Sequence, residues 1–539
     1  MKRILLAIAI VAACSGAAHA QGVGDPAVLD SLQYTGFNYF WSLANPANGL
    51  CPDRSTAGSV CSIASTGFGL SAICIGADHG WITRDQAKAR VLTTLQTFWN
   101  GPQGTGTAGI IGYKGLYYHW LDMGTARRTW SSELSSIDTG LLFAGILHCR
   151  EYFAVQGDST EDQIRALADS ITWRADWNWM RNGTAGISMG WDPSTGFSTF
   201  GKWIGYNEAM VMYLIALGSP MHPVPPTDWA AWTSGYSWGQ TRVEVPAYVK
   251  FGPLFGYQYS HCWVDFRGIR DTYMAAKGID YFENSRRATL SQLWYGRYMG
   301  RPAYENYYHR GYSDSLWGWT ASDDPTGYMA HDPWNASTEN GTVTPSATIS
   351  SMPFAPDSVW SCVRNMFTHR NTLGYPYWGP YGFGDAFCPE AYSRWVDLAV
   401  LGIDQGPIVL MVENYRSDMV WARTMNNADL QRGLTAAGFN RVAAVPEPAP
   451  RPSPALALSA EPNPSRGVTT LRYRLASAAH VRLTVFDTSG RRMTTLVDED
   501  RPAGEHSFLL TGRGFAPGVY LYRLEANGAS VVRRAVLLD

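Results

Sequence analysis

Hydrophobic positions between about residues 25 and 440 recur at helical spacing, and persistent alternation of apolar and polar residues is absent there. Long segments rich in Gly, Pro and aromatic residues separate these runs. Helices stacked around a central axis, with the loops lining one end, are the arrangement that this pattern favours. The predicted helices are Asp85 to Trp99, Asp138 to Phe153, Asp162 to Trp173, Glu208 to Leu217, Tyr281 to Tyr298, Val396 to Ile403 and Ile408 to Tyr415.

The pattern changes after a proline-rich spacer, Val445 to Pro454, which can form neither a helix nor a central strand. Beyond it, Thr469 to Leu475, Val481 to Phe486 and Gly518 to Leu524 alternate with a period of two between turn signals. The sequence therefore predicts a mostly α domain at 25–442, a linker at 443–458 and a small β-sandwich at 459–539.

The first residues resemble an export signal. Two basic residues precede the apolar run Ile4 to Ala13, and Ala18-His19-Ala20 is a typical cleavage site. This predicts a signal peptide at 1–20 and an exported protein that is secreted, periplasmic or on the outer cell surface. Alternatively, Val11 to Cys14 resembles a lipoprotein box, in which Cys14 would be acylated. No later segment has the roughly 20 apolar residues of a membrane helix.

Composition narrows the class of ligand. Charged residues are 16% of the 539 residues and the formal net charge is -2, which argues against a nucleic-acid groove or a polybasic membrane face. The expected partner is neutral. Aromatic residues reach 13%, and flat rings with a polar tip suit the faces of sugars as well as ordinary cores.

The cysteines and histidines predict no metal site and no cofactor. No CxxC or Cys/His cluster with metal spacing occurs, and the eleven His are scattered. In an oxidising compartment Cys51 and Cys61 could close the loop between them by a disulfide. Cys74 and Cys149 lie in apolar helical patterns and are predicted to be buried thiols.

A single charge, Glu208, interrupts the apolar run from Ile204 to Pro220. A carboxylate in such a place has a raised pKa, a partner, or a position on a wet cavity wall. The ordinary alternative is that Glu208 lies in the first helical turn after Asn207, where the helix dipole favours negative charge.

Two further carboxylate groups stand out. Asp122 follows four aromatic rings, Tyr117 to Trp120 with His119 among them. Ser135 and Asp138 form a helix-capping pattern, which leaves Glu133 on the preceding loop without a structural explanation. Cleavage of a glycosidic bond needs one protonated acid and one ionised carboxylate. Glu208 fits the first role, and Glu133 or Asp122 fits the second.

Eight motifs, in order from about residue 28 to 440, resemble the glucoamylase-like family that includes bacterial endo-β-1,2-glucanases. The resemblance implies an (α/α)6 toroid whose loop face binds β-1,2-glucan or a related neutral β-glucan. It also implies Glu133 and Glu208 as the catalytic carboxylates, with Asp122 and Asp138 as competitors. The motifs are Asn48 to Arg54, Ser62 to Leu70, Gly80 to Arg84, Ser132 to Thr139, Tyr206 to Ala209, Val264 to Gly268, Asp280 to Ala288 and Trp317 to Asp323.

The same resemblance implies a set of substrate contacts. Trp120 and Trp130, next to the candidate acids, are the expected stacking platforms. For the charged pairs in the set, the alternative is an ion pair that holds loops in place. The remaining candidates are Asp53, Arg54, Trp203, Tyr206, Asp265, Arg267, Trp319, Glu413 and Arg416.

The C-terminal region resembles the immunoglobulin-like sorting tails of type IX secretion. The likeness lies in Glu461 to Ser465, Val485 to Gly490 and Gly518 to Tyr522. It implies passage across the outer membrane, with the secretion machinery as a partner. Similar sandwiches also occur as plain accessory modules.

These observations predict a monomeric glycoside hydrolase that cleaves internal β-1,2-glucosidic bonds with carboxylates alone. Alternatives are an exo-acting hydrolase and a transglycosylase like that of cyclic β-1,2-glucan synthases. A polysaccharide lyase and a non-catalytic surface glycan-binding protein are further alternatives. A lyase acts on an acidic polymer, which carboxylates in the cleft would repel. Inversion or retention at the anomeric carbon stays open.

Overall fold

The computed structural model describes residues 24–299, 310–441 and 456–538, the last range without 462, 464, 467, 476, 488–490, 512–514 and 527–528. The chain divides into two compact units, the first ending at Arg441 and the second beginning at Val442. The predicted signal peptide, the Cys14 lipoprotein box and the proline-rich spacer lie outside the described residues.

The first unit is built mainly from helices, as the hydrophobic spacing predicts. Its described helices are α1 Pro26–Leu43, α2 Ile63–Asp78, α3 Arg84–Asn100, α4 Ser136–Tyr152, α5 Ser159–Trp173, α6 Trp177–Met180, α7 Met210–Gly218, α8 Pro226–Ser234, α9 Phe255–Gln258, α10 Thr272–Lys277, α11 Tyr281–Met299, α12 Pro345–Ile349, α13 Pro356–His369, α14 Gly402–Ser417, α15 Met419–Thr424 and α16 Ala428–Ala436. A 3-10 turn, Ser260–Cys262, follows α9.

Polar side chains cap several of these helices at their N-termini. The Ser135 hydroxyl accepts a hydrogen bond from the Asp138 backbone N–H at 3.2 Å, which confirms the predicted start of α4. Thr83 and Gln86 form a reciprocal capping box at the start of α3. These local bonds fix where the chain leaves a loop and enters a helix.

The helices at the centre of the unit pack with very little between them. Helix α2 packs against α1, α4 and α14, and α4 packs against α5 and α7. A Cβ on Gly145 would lie 2.0 Å from the carbonyl oxygen of Gly67, so the α2 and α4 backbones touch. Helix α2 is apolar nearly all round, and residues 63–76 are all buried.

Short strands connect and cover the helices of the first unit. The pairs are β1 with β4, β7 with β8, β9 with β14, β10 with β11 and β12 with β13, and a four-stranded sheet has the order β2-β3-β5-β6. The strands are β1 Cys61–Ser62, β2 Gly112–Tyr113, β3 Leu116–Tyr118, β4 Trp120–Leu121, β5 Leu134–Ser135, β6 Gly190–Trp191, β7 Ser237–Gly239, β8 Tyr248–Lys250, β9 Ile269–Arg270, β10 Ala321–Asp324, β11 Gly327–Ala330, β12 Trp378–Gly379, β13 Gly382–Phe383 and β14 Asn440–Arg441.

The second unit consists of two sheets, as the period-two alternation predicts. One has the order β15-β17-β20 and the other β16-β22-β21-β18-β19. Its buried core contains Leu471, Val481, Leu483, Val485 and Leu524. The strands are β15 Leu456–Glu461, β16 Ser465–Arg466, β17 Val468–Leu475, β18 Ala479–Phe486, β19 Arg492–Arg501, β20 Gly504–Thr511, β21 Gly518–Ala526 and β22 Ala529–Leu538.

Two local predictions are wrong. Residues Val396 to Ile403 do not form a helix of their own, because this segment is extended and pairs through Val396 with Phe387 before α14 begins at Gly402. Cys51 and Cys61 are buried free thiols, so no disulfide closes their loop. Cys74 and Cys149 are buried thiols as predicted, with their Sγ atoms 3.6 Å apart. In the described part of the chain, no helix is long and apolar enough to cross a membrane.

Candidate active site

A cavity of about 560 Å³ lies in the first unit, where several helices begin. Ala64 reaches it from the first turn of α2, Ile137 and Asp138 from the first turn of α4, and Ile403 from the start of α14. Glu208 lines it from the loop just before α7. The partial positive charge at helix N-termini favours anionic groups at such a place.

Glu208 belongs to the cavity wall. Burial of its carboxyl, together with the nearby negative charge of Asp138, raises its pKa to about 7. The Asn207 side chain accepts from the Ala209 N–H at 3.0 Å and α7 begins at Met210, so Glu208 lies in the turn that leads into the helix and also faces the cavity. The single charged residue of the apolar run is therefore a carboxyl that is about half ionised at neutral pH.

His119 links the two other candidate carboxylates. Its Nδ1 lies 2.9 Å from Oε1 of Glu133, and its Nε2 lies 3.6 Å from Oδ2 of Asp138. Burial lowers the pKa of His119, but the charges of Asp138 and Glu133 outweigh this and raise it to about 9. The imidazole is thus protonated at neutral pH and donates to Glu133.

This imidazolium keeps Glu133 ionised. Burial raises the pKa of Glu133, but the hydrogen bond and charge of His119 outweigh it, and the net pKa is below its usual value. Asp138 lines the cavity and accepts from the Ser135 hydroxyl at 2.5 Å. From the sequence we expect the second carboxylate to stay ionised through exposure to water, whereas in the structure the half-buried imidazolium of His119 stabilises its charge.

Two tryptophans and the ion-paired residues Asp53 and Arg54 also line the cavity. Trp120 stacks on His119 with ring centroids 3.8 Å apart, and Trp130, which is 68% exposed, packs edge-on against Trp120. Arg54 donates to Asp53 at 3.2 Å and to Asp323 at 2.8 Å. Burial raises the pKa of Asp53, although Arg54 opposes this.

Asp122 lies elsewhere, which corrects its place among the candidate catalytic residues. Its exposed carboxylate accepts from the backbone N–H groups of Gly124 and Thr125 and from the Thr125 hydroxyl. These hydrogen bonds lower its pKa. Of the aromatic run before it, His119 and Trp120 line the cavity, whereas Asp122 itself stabilises a turn.

Three aromatic candidates do not line the cavity either. Trp319 is fully buried against Tyr295 and Tyr312, so it is a core residue. Tyr206 is 4% exposed and stacks on neighbouring rings. Trp203 donates its indole N–H to the Ser136 hydroxyl at 3.0 Å. Sequence alone does not distinguish such core rings from sugar platforms.

The four remaining charged candidates make contacts within the protein: Asp265 pairs with Arg267, whereas Glu413 and Arg416 pair with other residues and not with each other. Arg267 donates to Asp265 at 2.8 Å, and its guanidinium lies over the Trp421 ring. Glu413 is buried and accepts from Gln33 at 2.7 Å and from His79 at 2.8 Å. Arg416 pairs with Asp30 at 2.7 Å.

Two groups of described residues bring metal-type ligand atoms within 4.8 Å of one another: His119 with Glu133 and Asp138, and Asp323 with Asp385 and Asp397. In the first group the imidazolium is itself the cation between two carboxylates.

The sequence does not single out His119, because a single His between aromatic residues has no distinguishing spacing.

The fold is an α/α toroid, as comparisons with solved structures show. A crystal structure of a "putative glucoamylase" from Bacteroides uniformis aligns with a TM-score of 0.68 and 30% identity, covering 77% of this chain and 97% of that one. An endo-β-1,2-glucanase from Chitinophaga pinensis, in complex with sophorotriose and glucose, aligns with a TM-score of 0.68 and 27% identity over 77% of this chain and 98% of that one.

The sequence comparisons agree with the structural ones. The family model described as "Putative glucoamylase" matches residues 201–428. An exo β-1,2-glucooligosaccharide sophorohydrolase (non-reducing end) from Parabacteroides distasonis is 28% identical over 444 residues, which is 76% of this chain and 57% of that protein. The chain thus spans a little over half the length of this relative. The protein belongs to the glucoamylase-like family.

Proposed function

We propose that this protein is a glycoside hydrolase that cleaves internal β-1,2-glucosidic bonds of β-1,2-glucan. The observation that carries the proposal is that two carboxyl groups in different surroundings line one cavity: Glu208, whose burial raises its pKa to about 7, and Asp138, which lies 3.6 Å from the His119 ring. Relatives that act on β-1,2-linked glucose support the choice of substrate.

Glu208 is the proposed general acid. A carboxyl that still holds its proton near neutral pH can give it to the leaving glycosidic oxygen as the bond breaks. Its burial in the wall makes the ionised form costly in the empty site, which favours proton donation at the moment when the leaving oxygen becomes basic. Water that enters the cavity reprotonates it afterwards.

Asp138 and Glu133 are the candidates for the ionised partner. Asp138 lines the cavity, whereas Glu133 is hydrogen-bonded to His119, which also lines it. We assign His119 a positioning role, because both of its ring nitrogens face carboxylates. Glu133→Gln and Asp138→Asn, measured separately, show which carboxylate acts on water, since the larger loss in kcat identifies it.

The function is tested with purified protein and linear β-1,2-glucan. New reducing ends should appear on β-1,2-glucan and not on β-1,3- or β-1,4-glucan. A ladder of short oligosaccharides early in the reaction indicates internal cleavage, whereas a single disaccharide from the first minutes indicates an exo enzyme. Cyclic products without new reducing ends would indicate a transglycosylase. No change in any glucan would contradict the proposal.

The pH profile follows from the pKa of Glu208. Because the acid must be protonated and this pKa is that of the free enzyme, kcat/KM should fall about tenfold per pH unit above a pH of about 7. Below neutrality kcat/KM should stay high until the ionised partner gains a proton, and the lowered pKa of Glu133 places that loss at a pH below the usual range of a glutamate. Steady-state kinetics across this range provides the measurement. A kcat/KM that is flat or rising above neutrality would exclude Glu208 as the acid.

Trp130 is expected to act as a sugar platform at the cavity. Trp130→Ala should raise KM about three- to tenfold with little change in kcat, because a stacked ring contributes about 0.5 to 1.5 kcal/mol beyond its area. Trp173→Ala is the matched control, since Trp173 is partly exposed and bonded to Asp429 away from the cavity. Equal KM values for both variants would show that Trp130 does not contact substrate.

A further inference from the structure

A second cavity, of about 250 Å³, lies beside the active-site cavity in the first unit. Phe255 and Ala330 line the active-site cavity, and Phe251 and Asp332, a few residues away on the same two segments, line the second one. The rings of Phe251 and Phe255 pack edge-on with centroids 5.5 Å apart. The two cavities are therefore neighbours, and the residues of the second have no role in the proposed reaction.

Three elements build the wall of the second cavity. Strand β8 contributes Tyr248 and Lys250, and helix α11 contributes Ser291. Asp332 and Trp334 come from the loop that follows β11. The Trp334 indole N–H donates to the Ser291 hydroxyl at 3.0 Å, which ties this loop to α11 and fixes the orientation of the indole ring.

Lys250 and Asp332 are the charged residues that line the second cavity, and they do not form an ion pair within 4.0 Å. Asp332 Oδ1 accepts from the Trp334 backbone N–H at 3.0 Å, whereas Oδ2 has no hydrogen-bond partner among the described residues. The ammonium group of Lys250 is exposed and also has no partner in the described part of the chain. Burial raises the pKa of Asp332, and the charge of Lys250 opposes this.

A glycine leaves the free carboxylate oxygen accessible. Gly252 also lines the second cavity, and a Cβ there would lie 2.8 Å from Asp332 Oδ2 and 2.7 Å from the Asp332 Cβ. Any larger residue at this position would occupy the space beside that oxygen. The cavity therefore presents an acceptor on one side and a cationic donor on the other, each with unused hydrogen-bonding capacity.

This combination suits a neutral ligand that carries several hydroxyl groups. A free anion would meet Asp332 and a free cation would meet Lys250, and each like charge would repel it. A sugar hydroxyl donates and accepts, so it can serve the carboxylate and the ammonium group together. Trp334 supplies apolar surface for the C–H groups of a pyranose ring. The volume is below the roughly 300 to 1,000 Å³ of pockets for drug-sized ligands, which suits a single ring.

We propose that the second cavity binds one glucosyl unit of a neutral glucan. The choice of a neutral sugar follows from the cavity itself, and the choice of glucose rests on the proposed function. Because the two cavities are neighbours, this site holds the chain close to Glu208 without taking part in the cleavage. In the active enzyme, Lys250→Met should therefore raise KM for linear β-1,2-glucan and leave kcat unchanged.

The test measures binding rather than turnover. The full chain carrying Glu208→Gln, which lacks the proposed acid and leaves the probe intact, is titrated with sophorose by calorimetry. Two binding events are expected, one for each cavity. Adding Lys250→Met should weaken one of them at least about tenfold, because a hydrogen bond from a charged group is lost. Trp334→Ala is a second variant, with an expected loss of about three- to tenfold in the same event.

Lys277→Met is the matched control, since Lys277 is exposed and does not line the second cavity. It should bind sophorose like the parent. A single binding event that neither Lys250→Met nor Trp334→Ala changes would overturn the proposal. Binding of inorganic phosphate instead of sophorose, lost in Lys250→Met, would overturn it as well and identify an anion site.

The outcomes also separate this proposal from the proposed function. Two sophorose events, one of them lost in Lys250→Met, would support the second site even if the wild type hydrolysed no glucan. Hydrolysis of β-1,2-glucan by a protein with one binding event, unchanged in both variants, would refute the second site and leave the proposed function in place.

Discussion

Glu208→Gln should lower kcat on β-1,2-glucan by about 10²- to 10⁴-fold, the range that a general acid contributes, while KM changes little. Glutamine keeps the size and the hydrogen-bonding oxygen of the protonated acid, but it has no proton to give. The cavity therefore still binds the sugar, and only the breaking of the glycosidic bond loses its assistance.

Asp122→Asn is the control for this variant. It makes the same chemical change at a carboxylate that caps an exposed turn, and we expect full activity. The basic limb of the pH profile should also disappear in Glu208→Gln, because its titrating group is gone. Near-normal activity of Glu208→Gln would remove Glu208 from the mechanism, and a large loss in Asp122→Asn would restore Asp122 as a candidate.

Gly145→Val should be the most damaging substitution away from the cavity. The new Cβ would lie 2.0 Å from the Gly67 carbonyl oxygen and 3.0 Å from the Gly67 Cα, and no side-chain rotation relieves a clash with backbone. Overpacking of this kind costs about 1 to 3 kcal/mol when side chains can adjust, and we expect at least the upper value here.

The damage should extend to activity, because α4 carries Ile137, Asp138 and Leu141 into the cavity and α2 carries Ala64. Thermal unfolding and turnover per mole of folded protein measure both effects. Gly104→Ala is the matched control, since a Cβ there meets nothing within 4 Å and its φ is not left-handed. An unchanged Tm in Gly145→Val would show that α2 and α4 are not as closely packed as described.

Local signals in the sequence predicted local structure well. The Ser135 and Asp138 pattern fixed the start of α4, and helical spacing found α3, α5, α7 and α11. It misplaced the segment at Val396 to Ile403, which is extended and pairs through Val396 with Phe387. An apolar run as short as this one has too little periodicity to distinguish a strand from a helix.

For the candidate site, the unpaired charge of Glu208 was the informative signal, because an ionisable group within an apolar run must be explained by its surroundings. The contacts of His119 could not be predicted from the sequence, since they depend on how β4, β5 and α4 pack against one another. The same limit applies to Trp319 and Glu413, whose partners come from distant parts of the chain. Residue type and spacing do not indicate which side of a helix faces a cavity.

Trp130 and the next residue, Ser131, both have left-handed backbones, with φ of 54° and 52°. For residues other than glycine this conformation costs of the order of 1 kcal/mol each. Holding the indole in this position therefore lowers the stability of the folded chain. Glycine at these two positions would avoid this cost, so the proposed sugar platform stands on a strained bend of the chain.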